Sequence, residues 1–314
     1  SSLSCSDLEA AMGYLRRFAS ALKDSLEVTP SAAPQKLLQQ LVELAAHWAA
    51  VPALLRELAA CDLLTASLVE AAIVECAKSG GGGLGGFIAK GCSAAAAAAL
   101  AEVEGFVRTK GVELTDRARA VLLRSASGAE GAVRVLTEAA EQGPVGKELL
   151  LAAIEAAVVF RAGGLLEGVL RYLPQDPAPE VAVAAVRAVA DGPLRGKEAD
   201  AALLRVYEER LAGVDILVDA RAGRLVAEAA LRRRRPEVLG LLLRAAAEPS
   251  RQMALIKSFG AEQRLADALA VFQSCPDKTT CLYNTLLDAC IDGQDMDTAE
   301  RIMSEAMAAG KADV

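Results

Sequence analysis

Residues 281 to 314 read CLYNTLLDACIDGQDMDTAERIMSEAMAAGKADV. On helical spacing, Leu282, Leu286, Leu287, Cys290 and Ile291 fall on one face of a first helix, and Met296, Ala299, Ile302, Met303 and Ala306 on one face of a second. Asp292-Gly293-Gln294-Asp295 supplies the turn between them. Asp297 with Glu300 three residues on approximates a capping box, and Gly310 is a natural stop for the second helix. The unit is a helical hairpin of about 34 residues, within the range of solenoid repeats.

Working outward, the same pattern recurs with less regularity. Periodicity predicts a first helix over residues 6 to 24, then pairs over 36–46 with 51–60, a helix over 65–78, and a helix from the alanine run Ala94–Ala99 to Lys110. Further pairs follow at 117–125 with 131–140, 147–160 with 165–173, 180–190 with 197–211, 223–231 with 236–247, and 251–259 with 262–274. Aligning Ala268 with Ala299 gives a period of 31 residues (299 − 268). The expected fold is all-α: a helix-turn-helix repeat solenoid, a superhelical array of about eight antiparallel helix pairs. No single hairpin of such an array buries its apolar face alone.

Gly80-Gly81-Gly82-Gly83-Leu84-Gly85-Gly86 interrupts the period and is too rich in glycine for helix. It contains G-x-G-x-x-G only as any glycine run does. The segment before it is helical in pattern rather than a strand, and no Gly-Lys-Ser/Thr follows, so it reads as an inserted loop and not as a phosphate site. The chain therefore divides into degenerate helical repeats over 1–78, an inserted loop over 79–93, further degenerate repeats over 94–248, and two clearer repeats over 249–314.

Of the residues, 53% are hydrophobic but only 4% aromatic, with alanine prominent. Small side chains suit close helix packing better than a sheet of β-branched and aromatic residues. The formal net charge of −7 and pI near 5.1 disfavour a generic electrostatic nucleic-acid binder, although a locally basic face is compatible with them. Seven cysteines without a C-x-x-C pair read as reduced, mostly buried thiols. No run of 18 apolar residues exists, so no membrane helix is expected. The chain opens Ser1-Ser2 without an initiator methionine and reads as a fragment, any targeting peptide lying outside it.

Catalytic chemistry finds little support. The single histidine, His47, has no ligand or triad partner at suitable spacing, and nucleophile-elbow and Walker signatures are missing. Asp288, Asp292, Asp295 and Asp297 are acidic enough to suggest a metal site, but three of them fall at a turn and helix start, where carboxylates cap free N–H groups. The expectation is a non-enzyme with no catalytic residue, metal or cofactor. Arg232-Arg233-Arg234-Arg235 is the most basic point of the chain and a candidate for phosphate contact. Asn284 lies roughly 110° from the centre of its helix's apolar stripe, where an amide can donate to and accept from a base edge.

Tyr283-Asn284-Thr285-Leu286-Leu287, Ala299, and Gly310 followed by Lys311-Ala312-Asp313-Val314 resemble a pentatricopeptide repeat. Arg251 to Ser274 resembles it less closely, and Ala312 stands where the family has proline. The resemblance implies a helical-repeat protein that binds single-stranded RNA in chloroplast or mitochondrion. It implies that Asn284, at the family's fifth position, reads a base, usually uracil, together with the unit's last residue. That residue is Val314 on strict counting, or Asp313 if the closing loop is one residue short. The same alignment puts Met253, and in weaker repeats Ala66 or Ile154, at the fifth position, where none can hydrogen-bond a base edge. The competing expectation is a protein-binding solenoid without RNA.

Overall fold

The structure is a computed structural model describing residues 5–28, 32–47, 50–79, 94–126, 128–192 and 194–312. The glycine run over 80–86, Asp313 and Val314 lie outside these. Among the described residues there are 17 α-helices and no strand. They fall into two compact units, residues 1–169 and 170–314.

In the first unit, α1 (Cys5–Val28) lies against α2 (Ala32–His47) and α3 (Val51–Ala60). Next come α4 (Ala66–Ser79), α5 (Ala94–Lys110), α6 (Asp116–Ser125), α7 (Ala129–Gln142) and α8 (Lys147–Val159), with α9 (Gly163–Tyr172) carrying the division. Each even-numbered helix packs on the next even-numbered one, α2 on α4, α4 on α6 and α6 on α8, while α3 packs on α5. The even-numbered helices are thus the first members of successive hairpins and the odd-numbered ones the second.

The second unit continues the rule with α10 (Pro179–Asp191) and α11 (Gly196–Val206), the latter running into a π-helical turn over Tyr207–Leu211. After a 3₁₀ turn at Ile216–Val218 come α12 (Ala220–Arg232), α13 (Pro236–Ala245), α14 (Pro249–Ala261), α15 (Leu265–Ser274), α16 (Thr280–Asp292) and α17 (Met296–Ala308). First helices α10, α12, α14 and α16 pack in succession, and α13 packs on α15. The arrangement is that of a helical repeat array, and the core between hairpins is leucine, valine and alanine.

Within several hairpins one turn recurs. In the last, Gln294 has φ +56°, its N–H donates to the Ile291 carbonyl at 2.9 Å, and the Asp295 N–H donates to the Cys290 carbonyl at 3.0 Å. This is the Schellman closure, in which a left-handed residue lets the chain satisfy the carbonyls left free at a helix end. Arg161, Arg234 and Gln263 occupy the same left-handed position with the same pair of bonds. Arg234, Gln263 and Gln294 are spaced 29 and 31 residues apart (263 − 234 and 294 − 263). The sequence favours Gly293 for such a position, but Gly293 stays right-handed at φ −80°. Its missing side chain instead leaves room beside the Ala289 carbonyl, 3.2 Å from where a Cβ would stand. Gly310, at φ +65°, closes α17 as expected.

The buried faces differ from the expected ones in detail. On α16 the core face is Leu282, Tyr283, Leu286, Ala289 and Cys290, whereas Ile291 is 56% exposed. On α17, Ala299, Ile302 and Ala306 are buried but Met296 and Met303 are exposed. Ala299, Ile302 and Ala306 span an arc of about 60°. The two methionines fall outside that arc, which is all that the packing of α17 covers. Cap position also shifts: Asp295, not Asp297, caps α17, accepting from the Thr298 N–H at 3.0 Å, and Thr279 caps α16.

Close approach of α14 to α16 depends on Gly260, where a Cβ would stand 2.7 Å from the Ala289 Cβ. Gly260→Val is expected to lower unfolding stability by ~1–3 kcal/mol through overpacking. In contrast, Gly105→Ala, inside α5 with nothing within 4 Å, is expected to add ~0.5–1 kcal/mol of helix propensity. Chemical denaturation of the two variants reads both signs, and an unchanged midpoint for Gly260→Val contradicts the close packing of α14 on α16.

Candidate nucleic-acid interface

The outward face of α16 is built by default, from what its packing leaves uncovered. Neighbouring α14, α15 and α17 take up the Leu282–Tyr283–Leu286–Cys290 side. Tyr283 is pinned there, its ring edge-on to Phe272 at 5.0 Å and its hydroxyl donating to Glu305 Oε1 at 3.2 Å. With Leu287 only half-buried and Ile291 exposed, the true core arc centres near Leu282 and Leu286. Asn284 consequently lies about 180° from its centre, the middle of the solvent face rather than its flank. Cys281 and Asp288 are exposed beside it, and the Asn284 side chain makes no hydrogen bond among the described residues.

The left-handed turn fixes which residues of other hairpins correspond to Asn284. Asn284 precedes Gln294 by ten positions (294 − 284), as Met253 precedes Gln263 (263 − 253) and Arg224 precedes Arg234 (234 − 224). Met253 is thus the counterpart expected from sequence, and Arg224 is one that the sequence reading missed. Counting back from the Arg232–Pro236 turn, aligned on Asp292–Asp295, is the signal that finds it. Ile154 is not a counterpart: it is 4% exposed, and ten positions before Arg161 stands Leu151. Ala66 is the first residue of α4, four positions earlier in its helix than Asn284 is in α16. The turn after α8 is anchored by Arg161 and not by Gly163 or Gly164, which is why counting from the glycines misplaces its counterpart.

Arg224 is not idle. Its guanidinium is hydrogen-bonded to Glu228 at 3.0 Å and to Glu262 of the next hairpin, and lies 5.4 Å from the Phe259 ring, with Arg264 at 4.7 Å. Burial pushes the Glu228 carboxyl up, but hydrogen bonds from Arg224 and Arg264 outweigh it and hold the group below the usual carboxylate range.

The four consecutive arginines separate in function. Arg232 ends α12 and makes a two-point bridge to Asp200, at 3.0 and 2.7 Å, with Glu228 at 3.3 Å. Asp200 is only 8% exposed, so this arginine neutralises a nearly buried carboxylate. Arg235 stands at the start of α13 and is tied to Glu208 at 2.7 Å and to Glu237. Arg233 and Arg234 are exposed and make no ion pair among the described residues.

Of the acidic cluster, Asp295 is a cap whose second oxygen accepts from the Thr298 hydroxyl at 2.8 Å, while Asp288, Asp292 and Asp297 are exposed. Among the described residues, no group of three or more His, Cys, Asp or Glu side chains is placed to hold a metal ion. Cys275 and Cys290 are buried, burial pushing the Cys275 thiol up to about 11, whereas Cys281 is exposed. No helix is long and apolar enough to cross a membrane among the described residues. No protein-family model matches the chain, and no curated protein does.

The Thr298 backbone N–H, then its hydroxyl, hold the Asp295 carboxyl below its ordinary value. A depressed carboxylate contributes stability that is fully present above its unfolded pKa and is lost as pH falls through the folded one. Asp295→Asn keeps the cap but does not titrate. Wild type is expected to exceed the variant in stability at neutral pH, the gap closing as pH drops below about 4. Denaturation midpoints of both proteins across that range measure it, and a gap independent of pH contradicts the role of the charge.

Proposed function

We propose that the chain is a non-catalytic helical-repeat protein of pentatricopeptide type that holds single-stranded RNA along its first helices, with Asn284 as a base-reading residue. The observation that carries this reading is the exposed amide of Asn284 at a register position repeated on the consecutive, mutually packed helices α12, α14 and α16. One residue per hairpin at a fixed register is what a one-base-per-repeat reader requires, and of the three Asn284 is exposed while Met253 and Arg224 are half-buried. The three occupants differ in chemistry: Asn284 offers both donor and acceptor, Met253 an apolar contact, and Arg224 a charge already shared with Glu228 and Glu262. Base discrimination therefore concentrates on the last hairpin. Asp313 or Val314 as its second reader, and action in chloroplast or mitochondrial RNA metabolism, come from the resemblance alone.

A protein-binding scaffold is the second reading, and a specific observation favours it. The arginines of α12 and α14 are largely engaged with carboxylates, and Asp288 and Asp292 follow Asn284 along the exposed side of α16. Such a face repels phosphate more than it attracts it.

Filter binding of uridine-rich and other single-stranded RNAs across a salt series separates the two. RNA reading predicts affinity that falls with rising salt and a uridine preference that drops about tenfold in Asn284→Ala, equivalent to ~1.4 kcal/mol. Absence of binding by the full chain at low salt, or a base preference untouched by that substitution, removes Asn284 from this role.

A further inference from the structure

The second unit holds a cavity of about 400 Å³ where α10, α11 and α12 meet. Its apolar wall includes Leu194, Leu203 and Leu225. Its ionisable lining is Arg195, Lys197, Arg232 and Arg233 against the single carboxylate Asp200. In a chain with 34 basic and 41 acidic residues, this is a local reversal of sign inside a concave space.

The cations are not equivalent. Arg232 is committed to Asp200, a pair that adds little net charge to the cavity, and its second partner Glu228 is also bound by Arg224 and Arg264. Arg195 donates to the carbonyls of Gly192 and of Leu194, the latter at 3.1 Å, so its charge is held at the rim without being neutralised. Lys197 and Arg233 are exposed and have no ion pair among the described residues. Glu198, in the first turn of α11, is the other acid near the rim. Uncompensated positive charge therefore remains at three positions around an apolar floor: Arg195 just before α11, Lys197 in its first turn, and Arg233 just past the end of α12. That combination suits a compact anion attached to a flat or apolar body.

We infer that this cavity is a binding site for a phosphate group, carried either by a free nucleotide or by an RNA chain. Lys197 and Arg233 supply the charge, Arg195 the rim donor, and Leu203 and Leu225 the surface for the attached base or ribose. The inference does not require Asn284 to read bases, since the two features share no residue.

Isothermal titration of the full chain with inorganic phosphate, uridine monophosphate and a uridine oligomer tests it. The comparison is with Lys197→Ala/Arg233→Ala and with Asn284→Ala. Neither replaced cation makes an ion pair, so the double variant is expected to melt as the wild type does; Lys197→Arg is expected to retain binding. Loss of affinity by about tenfold or more for the monophosphate identifies a nucleotide site. Loss confined to the oligomer, with a slope of log affinity against log salt shallower by about 0.7 for each phosphate no longer neutralised, identifies an RNA backbone contact. If the double variant binds all three probes as the wild type does, or none of them binds the wild type, the inference is overturned. An oligomer that binds with Asn284-dependent preference but indifferently to the double variant overturns the cavity alone. A monophosphate whose binding is lost in the double variant, while the oligomer binds no tighter than the monophosphate, leaves the cavity standing and removes the RNA reading.

Discussion

A single left-handed residue at the end of a first helix fixes the direction in which the second helix leaves. Arg161, Arg234, Gln263 and Gln294 all adopt it, and in each case the following N–H reaches back to a carbonyl five positions earlier. For residues other than glycine that conformation costs about 1–2 kcal/mol, a strain tolerated because the helix on either side is anchored by buried leucine, valine and alanine. Since the turn has one geometry, it also has one register. A residue counted back from it points to the same side of every hairpin that uses it, which is how Arg224, Met253 and Asn284 become comparable.

Electrostatics supplies the second level of order. Many ion pairs join residues about one hairpin apart: Arg124 to Glu155, Arg134 to Glu104, Arg187 to Asp219, Arg221 to Asp191 and Arg232 to Asp200. Carboxylates also reach backbone N–H groups at the start of the next first helix, Asp116 to Gly146 at 2.6 Å and Glu70 to Thr115 at 2.7 Å. Exposed pairs of this kind each contribute little. Repeated from hairpin to hairpin, they draw down the chain's basic groups, so only part of the arginine run most visible in the sequence is free to meet an anion: Arg232 and Arg235 are paired with carboxylates, and Arg233 is not. Lys197 and Arg233 are left over, and they border the same cavity.

Helical periodicity, proline and turn chemistry determined the all-α hairpin pattern from sequence alone, because each of these signals acts over a few residues. Helix pairs such as 147–159 with 163–172 and 280–292 with 296–308 were legible within a few positions for that reason. The outward placement of Asn284 was legible only in part. Its apolar neighbours Leu287 and Ile291 shifted the apparent core face, and only the packing of α14, α15 and α17 against α16 decided that Ile291 stays in solvent. Arg232 and Arg233 are adjacent and chemically identical, yet one is bound to Asp200, 32 positions earlier, and the other is exposed. Sequence determined that these charges lie at a turn. Which of them is neutralised, and that Lys197 joins the remaining one around a cavity, depended on groups a full hairpin away, and only tertiary structure brings those together.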